Sequence, residues 1–496
     1  MRRVRENPSL ANPISPQNQH NRNHECRKIL AALSNHEAFN TMASETHPRT
    51  PAQAGTPPQS HDAAQREFQL TLSGFSAIDK PEYEDYSRCV HCGLCANHCP
   101  TYRLWGREAD SPRGRIKQMA LVDQGRLELG ESFVLHIDRC LNCRNCETVC
   151  PSGVEYGKIL ELARAQIEQK YKRPLASRVA RDFVYRRLLP YPGRIAAAAR
   201  ALKIYQRSGL AAVARGTGIL RLLGLQNREK LLPRIDSNFF FSELGKTFPA
   251  KGERRARVAF FAGCVAQVTF SDLNRATVRV LQANGCEVVV PPSQTCCGAL
   301  AAHAGVRDTA RDLAQKNFDA FLSDDFDAII TNAAGCGSTL KEYAHLFNED
   351  NTSHSRAQSF SAKMRDISEF LTDLGLTAPL RPLPVRVTYQ DSCHLVHGQK
   401  IREAPRQLLR AIPGLDFVEM SLADQCCGSA GVYNVTETET SLELLDRKMD
   451  SVQQTKAEII ATANPGCILQ LRAGAAIRRT SQEVLHVVEL LDRALA

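Results

Sequence analysis

The sequence predicts a multidomain α/β protein, in which a helical domain built on two cysteine runs precedes two copies of an α/β cysteine-rich domain. Three observations carry this. Identical C-x2-C-x2-C-x3-C-P runs begin at Cys89 and at Cys140. A Cys-Cys-Gly (CCG) triplet occurs twice, at Cys296-Cys297-Gly298 and Cys426-Cys427-Gly428, each flanked by single cysteines. Strand-like apolar runs alternate with helical stretches through the C-terminal half, the pattern of a mostly parallel sheet. The 496 residues allow roughly three domains at about 150 residues each.

Residues 1–66 are rich in Asn, Pro, His, Ser, Gln and Thr and poor in large apolar residues. Such a composition does not offset its ordering entropy, so a disordered tail is expected, with Met42 inside it as an alternative start. Residues 67–168 hold both cysteine runs. The 40 residues between Cys99 and Cys140 carry helical patterns such as Gly114–Gln124, and Glu155–Gln169 groups Ile159, Leu160, Leu162, Ala163 and Ile167 on one side of a helix. Trp105 is expected to pack this domain.

Residues 169–250 read as a basic helical linker broken by Pro174, Pro190, Pro192 and Pro233. From Lys170 to Arg234 there are 16 Lys/Arg against only Asp182 and Glu229, more than accounting for the net charge of +10. Ile195–Leu225 sets apolar and basic residues at near-helical spacing. Helices packed between domains with basic outer faces are the simpler expectation, and a membrane-surface segment is the other.

The two α/β domains are expected at 251–355 and 384–496. Arg257–Ala262 reads as a strand leading to Cys264, Leu273–Ala283 as a helix, Glu287–Val290 as a strand leading to Cys296-Cys297, and Ala328–Thr331 as a strand leading to Cys336. The order returns with Val385–Tyr389 before Cys393, then Cys426-Cys427, then Ile459–Thr462 before Cys467. Near-constant spacing between equivalent cysteines marks a duplication.

Eighteen cysteines could suggest a disulfide scaffold, but chain length and spacing argue for metal binding in a reducing compartment. No window is apolar enough for a membrane span, and Arg2, Arg3 and Arg5 precede no apolar core of a signal peptide, so a cytoplasmic protein is expected. The two runs follow the bacterial ferredoxin pattern, in which the fourth cysteine of each run ligates the other run's cluster. One [4Fe–4S] cluster is therefore assigned to Cys89, Cys92, Cys95 and Cys150, and a second to Cys140, Cys143, Cys146 and Cys99. Zinc would pair two CxxC elements and leave a ligand of each triple run spare. In the repeats, Cys264, Cys296, Cys297 and Cys336, and likewise Cys393, Cys426, Cys427 and Cys467, lie at strand ends, where parallel sheets build sites. They could hold a further cluster or zinc, or remain as unused remnants. His91, His98, His303, His394 and His397 lie near cysteines and could donate hydrogen bonds behind the ligands, but packed or solvated histidines are the simpler expectation. Cys26 and Cys286 fall outside every group.

Cys89–Pro100, Asp110-Ser-Pro-Arg-Gly-Arg115 and Cys140–Pro151, followed by the two CCG domains, closely resemble the iron–sulfur subunit of bacterial glycolate oxidase over about residues 80–496. The same combination is similar to iron–sulfur subunits of glycerol-3-phosphate dehydrogenase, lactate oxidation proteins and heterodisulfide reductase. In heterodisulfide reductase subunits the motif ends in CxxC and holds a noncubane cluster. Here Cys336 is followed by Gly337-Ser338-Thr339 and Cys467 by Ile468-Leu469-Gln470, so that second cysteine is missing and disulfide reduction is disfavoured. The resemblance implies an electron-transfer subunit of glycolate dehydrogenase, inactive alone, receiving electrons from FAD-containing partner subunits. Contact with the cytoplasmic face of the inner membrane is compatible with it, and no nucleic-acid partner is expected. The sequence agrees in having no strand-anchored GxGxxG, since Gly216-Thr-Gly218 lacks the third glycine and a preceding strand.

Overall fold

The computed structural model describes residues 73–347 and 350–496. The tail expected over 1–66, with Cys26 and Met42, lies outside the described residues.

Among the described residues nine strands form two sheets. They are β1 (Thr247–Phe248), β2 (Ala256–Phe261), β3 (Cys286–Val289), β4 (Ala328–Thr331), β5 (Met364–Asp366), β6 (Arg386–Tyr389), β7 (Asp416–Glu419), β8 (Ile459–Thr462) and β9 (Glu483–His486). The first sheet has the order β1-β3-β2-β4-β5 and the second β7-β6-β8-β9. Only β1 pairs antiparallel; all other pairings are parallel. Without β1 the two orders are the same, so the duplication read from cysteine spacing is a duplication of topology. β2 and β4 are apolar along nearly their whole length because helices cover both faces.

The two sheets share a core. Helix Ser271–Ala283 of the first repeat packs on Val487–Ala494 of the second, and Ile367–Leu374 packs on Glu403–Arg410. Leu273, Leu281, Leu371, Leu408, Leu490 and Leu491 meet there in one apolar cluster. Equivalent helices are exchanged in the two pairs, an internal two-fold arrangement. The first sheet takes its edge strands from outside 251–355, with β1 before that range and β5 beyond it. Strands of two or three residues are too short to show a period-two pattern.

In the cluster domain, Ser111 Oγ caps helix Pro112–Asp123 by accepting from Gly114 N at 3.0 Å, and Pro112 fills the first helical position. Helix Tyr156–Lys170 buries Ile159, Leu160, Leu162, Ala163 and Ile167, the face the spacing predicted. Phe133, Ile137 and Met119 complete that core. The linker is a series of helices. Helix Pro192–Arg207 buries Ile195, Ala196 and Ala199 between neighbours, as the packed-helix reading expects. Gly209 and Gly218, with φ of 84° and 73°, then break the chain into the short helices Leu210–Gly216 and Ile219–Leu222.

Candidate iron–sulfur centres and paired thiol sites

Both cysteine runs wrap by the same backbone device. In the first run, His91 and Gly93 lie in the left-handed region (φ 55° and 83°); in the second, Asn142 and Arg144 occupy the same two places (φ 52° and 62°). Placing these residues between the first and third thiols curls the chain around a common centre. At Gly93 the left-handed backbone itself favours glycine, and the flexible end of Arg113 passes over the space a Cβ would take. Arg144 takes the costlier conformation and is held there by Glu147 (2.9 Å) and by Glu342 of the first repeat (2.7 Å).

Cys89, Cys92, Cys95 and Cys150 line one cavity, closed by Gly93, Arg113, Ile116, Pro151 and Tyr156, with Cys146 in the wall. Cys99, Cys140, Cys143 and Cys146 line a second, with Thr101, Arg115, Leu141 and Tyr156. Each cavity thus gathers three thiols of one run and the last thiol of the other. The donors fit a thiolate-bound cluster: soft sulfur ligands, apolar walls and no carboxylate in either cavity. Burial pushes the Cys95 thiol up to about 11 and raises Cys143 and Cys146 well above the usual thiol range. The cavities differ in access, since Cys92 is exposed and Cys99, Cys143 and Cys146 are buried.

Around the second cavity, hydrogen bonds converge on sulfur. Tyr156 Oη donates to Cys140 Sγ at 3.6 Å and Asn142 N to the same sulfur at 3.4 Å. Thr101 Oγ1 lies 3.2 Å from Cys99 Sγ. Arg115, fully buried, donates to Asp110 O (2.7 Å), His136 O (2.7 Å) and Thr101 Oγ1 (3.2 Å). It sets a guanidinium beside the thiols of Cys99 and Cys140, its charge partly offset by the buried Asp110 carboxylate at 3.4 Å, and the remaining positive field favours the more negative state of a bound centre.

In each repeat the four cysteines come together at the carboxyl ends of the strands. Cys264 Sγ lies 3.3 Å from Cys296 Sγ, and contacts continue from Cys296 to Cys297 and on to Cys336. In the second repeat the contacts run from Cys393 to Cys426, Cys427 and Cys467. The thiols form a chain rather than a tetrahedron: among the described residues no three His, Cys, Asp or Glu side chains gather at the spacing of a single ion. Gly428 (φ 89°) lets helix Thr438–Thr455 pass, its Cβ position lying 2.5 Å from Ser441 O. Cys286 is buried in β3 within the shared core, away from both sets.

Comparison with known proteins places these parts in one family. Residues 85–154 match a 4Fe-4S dicluster domain, 258–341 and 387–472 each match a cysteine-rich domain, and 176–232 match the linker region of the glycolate oxidase iron-sulfur subunit. The chain is 44% identical over 413 residues to a probable glycolate oxidase iron-sulfur subunit of Bacillus subtilis, covering 82% of this chain and 93% of that one. It is 36% identical to the glycolate oxidase iron-sulfur subunit of Escherichia coli, again covering 93% of the relative. The chain belongs to the glycolate oxidase iron–sulfur subunit family. A lactate utilization protein A of Oceanobacillus iheyensis is 33% identical over 239 residues, which is 48% of this chain and 96% of that protein.

This iron–sulfur subunit has features that spacing alone did not disclose. Its second cavity adjoins the second repeat: Leu141, Cys143, Cys426, Tyr433 and Leu444 form one buried cluster, with Cys393 packed against it. Tyr433 Oη donates to Arg139 O at 3.2 Å across the same joint. The histidines near the cysteines belong to joints as well. His303 pairs with Glu161 at 2.6 Å, His394 Nε2 lies 3.0 Å from Asn142 O, and His397 Nδ1 lies 2.9 Å from Thr148 Oγ1. His91 is exposed, with its Nδ1 4.0 Å from Cys89 Sγ. Trp105 stacks under the Arg139 guanidinium at 5.0 Å, packing the cluster domain as expected. Arg115 and Arg144 carry no ligand signature in sequence.

Proposed function

We propose that this chain is the electron-transfer subunit of a glycolate dehydrogenase. It takes electrons from an FAD-containing catalytic subunit that oxidises glycolate to glyoxylate and passes them to a downstream acceptor. The supporting observation is the pair of cavities, each gathering three thiols of one run and the fourth of the other. We assign one [4Fe–4S] cluster to Cys89, Cys92, Cys95 and Cys150, and another to Cys140, Cys143, Cys146 and Cys99. Bound clusters would supply single-electron storage, suited to the step after a flavin has separated an electron pair. The chain's own residues do the rest: Arg115 and the donors to sulfur bias charge at the second site, and Leu141, Tyr433 and Leu444 keep water from it. We also infer that the repeat thiols are the place for a further cluster or a zinc ion, since four soft sulfur ligands come together in each repeat.

Other 2-hydroxy acids are compatible with the same parts, since lactate utilization relatives share about half the chain. Thiol–disulfide catalysis is less well supported. Five of the eight repeat thiols (Cys296, Cys297, Cys426, Cys427 and Cys467) are buried, whereas a reactive thiolate needs access. Among the described residues no helix is long and apolar enough to cross a membrane. We place the chain in the cytoplasm, working at the inner face of the membrane.

The test is purification of the chain alone and with candidate catalytic subunits. Alone it should contain iron and sulfide, no flavin, and no glycolate-oxidising activity; co-expression should restore glycolate-dependent dye reduction. Flavin held tightly by the single chain would overturn the division of labour.

A further inference from the structure

The linker ends in a projection whose base is secured and whose surface is unpacked. Gln206 closes the base, with Nε2 donating to Pro233 O at 2.7 Å and Oε1 accepting from Ile235 N at 3.3 Å. Leu231 and Ile235 are buried beneath it. Between them the chain forms helices Leu210–Gly216, Ile219–Leu222 and Gln226–Glu229, turned by Gly209, Gly218 and Gly224 with φ of 84°, 73° and 64°.

On this projection Leu210, Val213, Ile219, Leu222, Leu223 and Leu232 are all exposed, and Leu222 is 85% exposed. Interleaved with them are exposed Arg215, Arg221, Arg228 and Lys230. The lone acid between residues 208 and 235, Glu229, is paired with Arg215 at 3.1 Å. Aliphatic side chains so exposed and so crowded mark a contact surface. The composition indicates its kind. The core of a protein interface is depleted of charge, whereas here cations stand among the exposed leucines throughout. Leucines that enter the acyl boundary beside long cationic side chains that reach back to phosphate are the pattern of an interfacial membrane segment.

We propose that the projection over residues 208–232 docks this subunit on an anionic membrane surface, with Leu222 and Leu223 inserted and Arg221, Arg228 and Lys230 on lipid phosphates. This rests on the membrane-face placement above and gives it a defined contact. Lys203 and Arg207 are not part of it, being tied to Ser237 at the base.

The experiment is co-sedimentation of the full, iron-loaded chain with vesicles of phosphatidylcholine alone or with added phosphatidylglycerol. Binding should require phosphatidylglycerol and fall as salt is raised. The double variant Leu222→Ser/Leu223→Ser should weaken binding about tenfold, and Arg221→Glu/Arg228→Glu similarly, because attachment takes both signals. Iron content should be unchanged in each, as these side chains are exposed. Glycolate-dependent dye reduction in detergent-free solution with co-expressed catalytic subunits should also be unchanged, which separates this test from that of the electron-transfer reading. Absence of binding to phosphatidylglycerol vesicles would overturn the proposal, as would binding that neither variant weakens. Loss of the catalytic subunits from the leucine variant would do so too, by assigning the projection to a protein interface.

Discussion

Cys99 and Cys150 each stand at the end of one run and face the thiols of the other. If the ligand sets are crossed, Cys99→Ser should disturb the centre shared with Cys140, Cys143 and Cys146 and leave about four irons in the other. Electron paramagnetic resonance of the reduced protein checks this; damage confined to the Cys89–Cys95 site would reject the assignment. At Gly428 both the left-handed backbone and the 2.5 Å approach of Ser441 O exclude a side chain. Gly428→Ala should therefore cost about 3 kcal/mol in denaturant unfolding, combining backbone strain with overpacking. The thiols and their glycines were legible in the sequence because ligand chemistry restricts residue type and spacing. Arg115 and Arg144 were not, because part of what justifies burying each arginine is a partner distant in sequence, His136 for one and Glu342 for the other.

At the scale of elements, the central strands were legible and the edge strands were not. β2, β3, β4, β6 and β8 lie inside their sheets and carry the apolar, β-branched or aromatic residues that read as strands, while β1 and β5 are too short to carry a pattern. The linker shows the limit of helical periodicity, since near-helical spacing over Ile195–Leu225 does not locate the ends of its short helices, which fall at glycines in the left-handed region. One helix start gives a pH test. His486 caps Val487–Ala494, its Nδ1 accepting from Val488 N at 3.1 Å. Burial disfavours its imidazolium and lowers its pKa to about 4. The stability contributed by the neutral ring is present above about 6.5 and is lost as the pH falls towards 4, to a total of about 3 kcal/mol. His486→Asn keeps a cap without that titration. Thermal unfolding should therefore show the wild type losing stability relative to the variant as the pH falls from about 6.5 to about 4; parallel pH profiles would reject this role for His486.

On the scale of the whole molecule, the cluster domain is fastened to both repeats by polar contacts whose partners lie far apart in sequence. Arg144 bonds Glu342 and Ser338, Arg164 bonds His303 O, and Thr148 meets His397. Arg144→Ala should loosen this joint and remove the support of a strained loop, costing about 3 kcal/mol as a buried charge pair is broken. Limited proteolysis should then cut sooner between the cluster domain and the repeats, and the iron of the second site should become labile first. Equal protease resistance in the variant would show that the joint rests on apolar contacts such as Leu141 with Tyr433 and Leu444.

The helix layer shared by the two repeats has an evolutionary consequence. Ser271–Ala283 meets Val487–Ala494, and its counterpart Glu403–Arg410 meets Ile367–Leu374, so each half completes the other. Two separate copies of one ancestral half could have bound in this manner, and fusion into a single chain would have preserved the contact while releasing the halves from identity. Divergence followed where the surroundings differ: the second half placed Cys426 beside Cys143, while the first supplied Glu342 to Arg144. An ancestor with matched halves had two equal faces to offer a cluster-bearing domain. The fused chain offers it one seat.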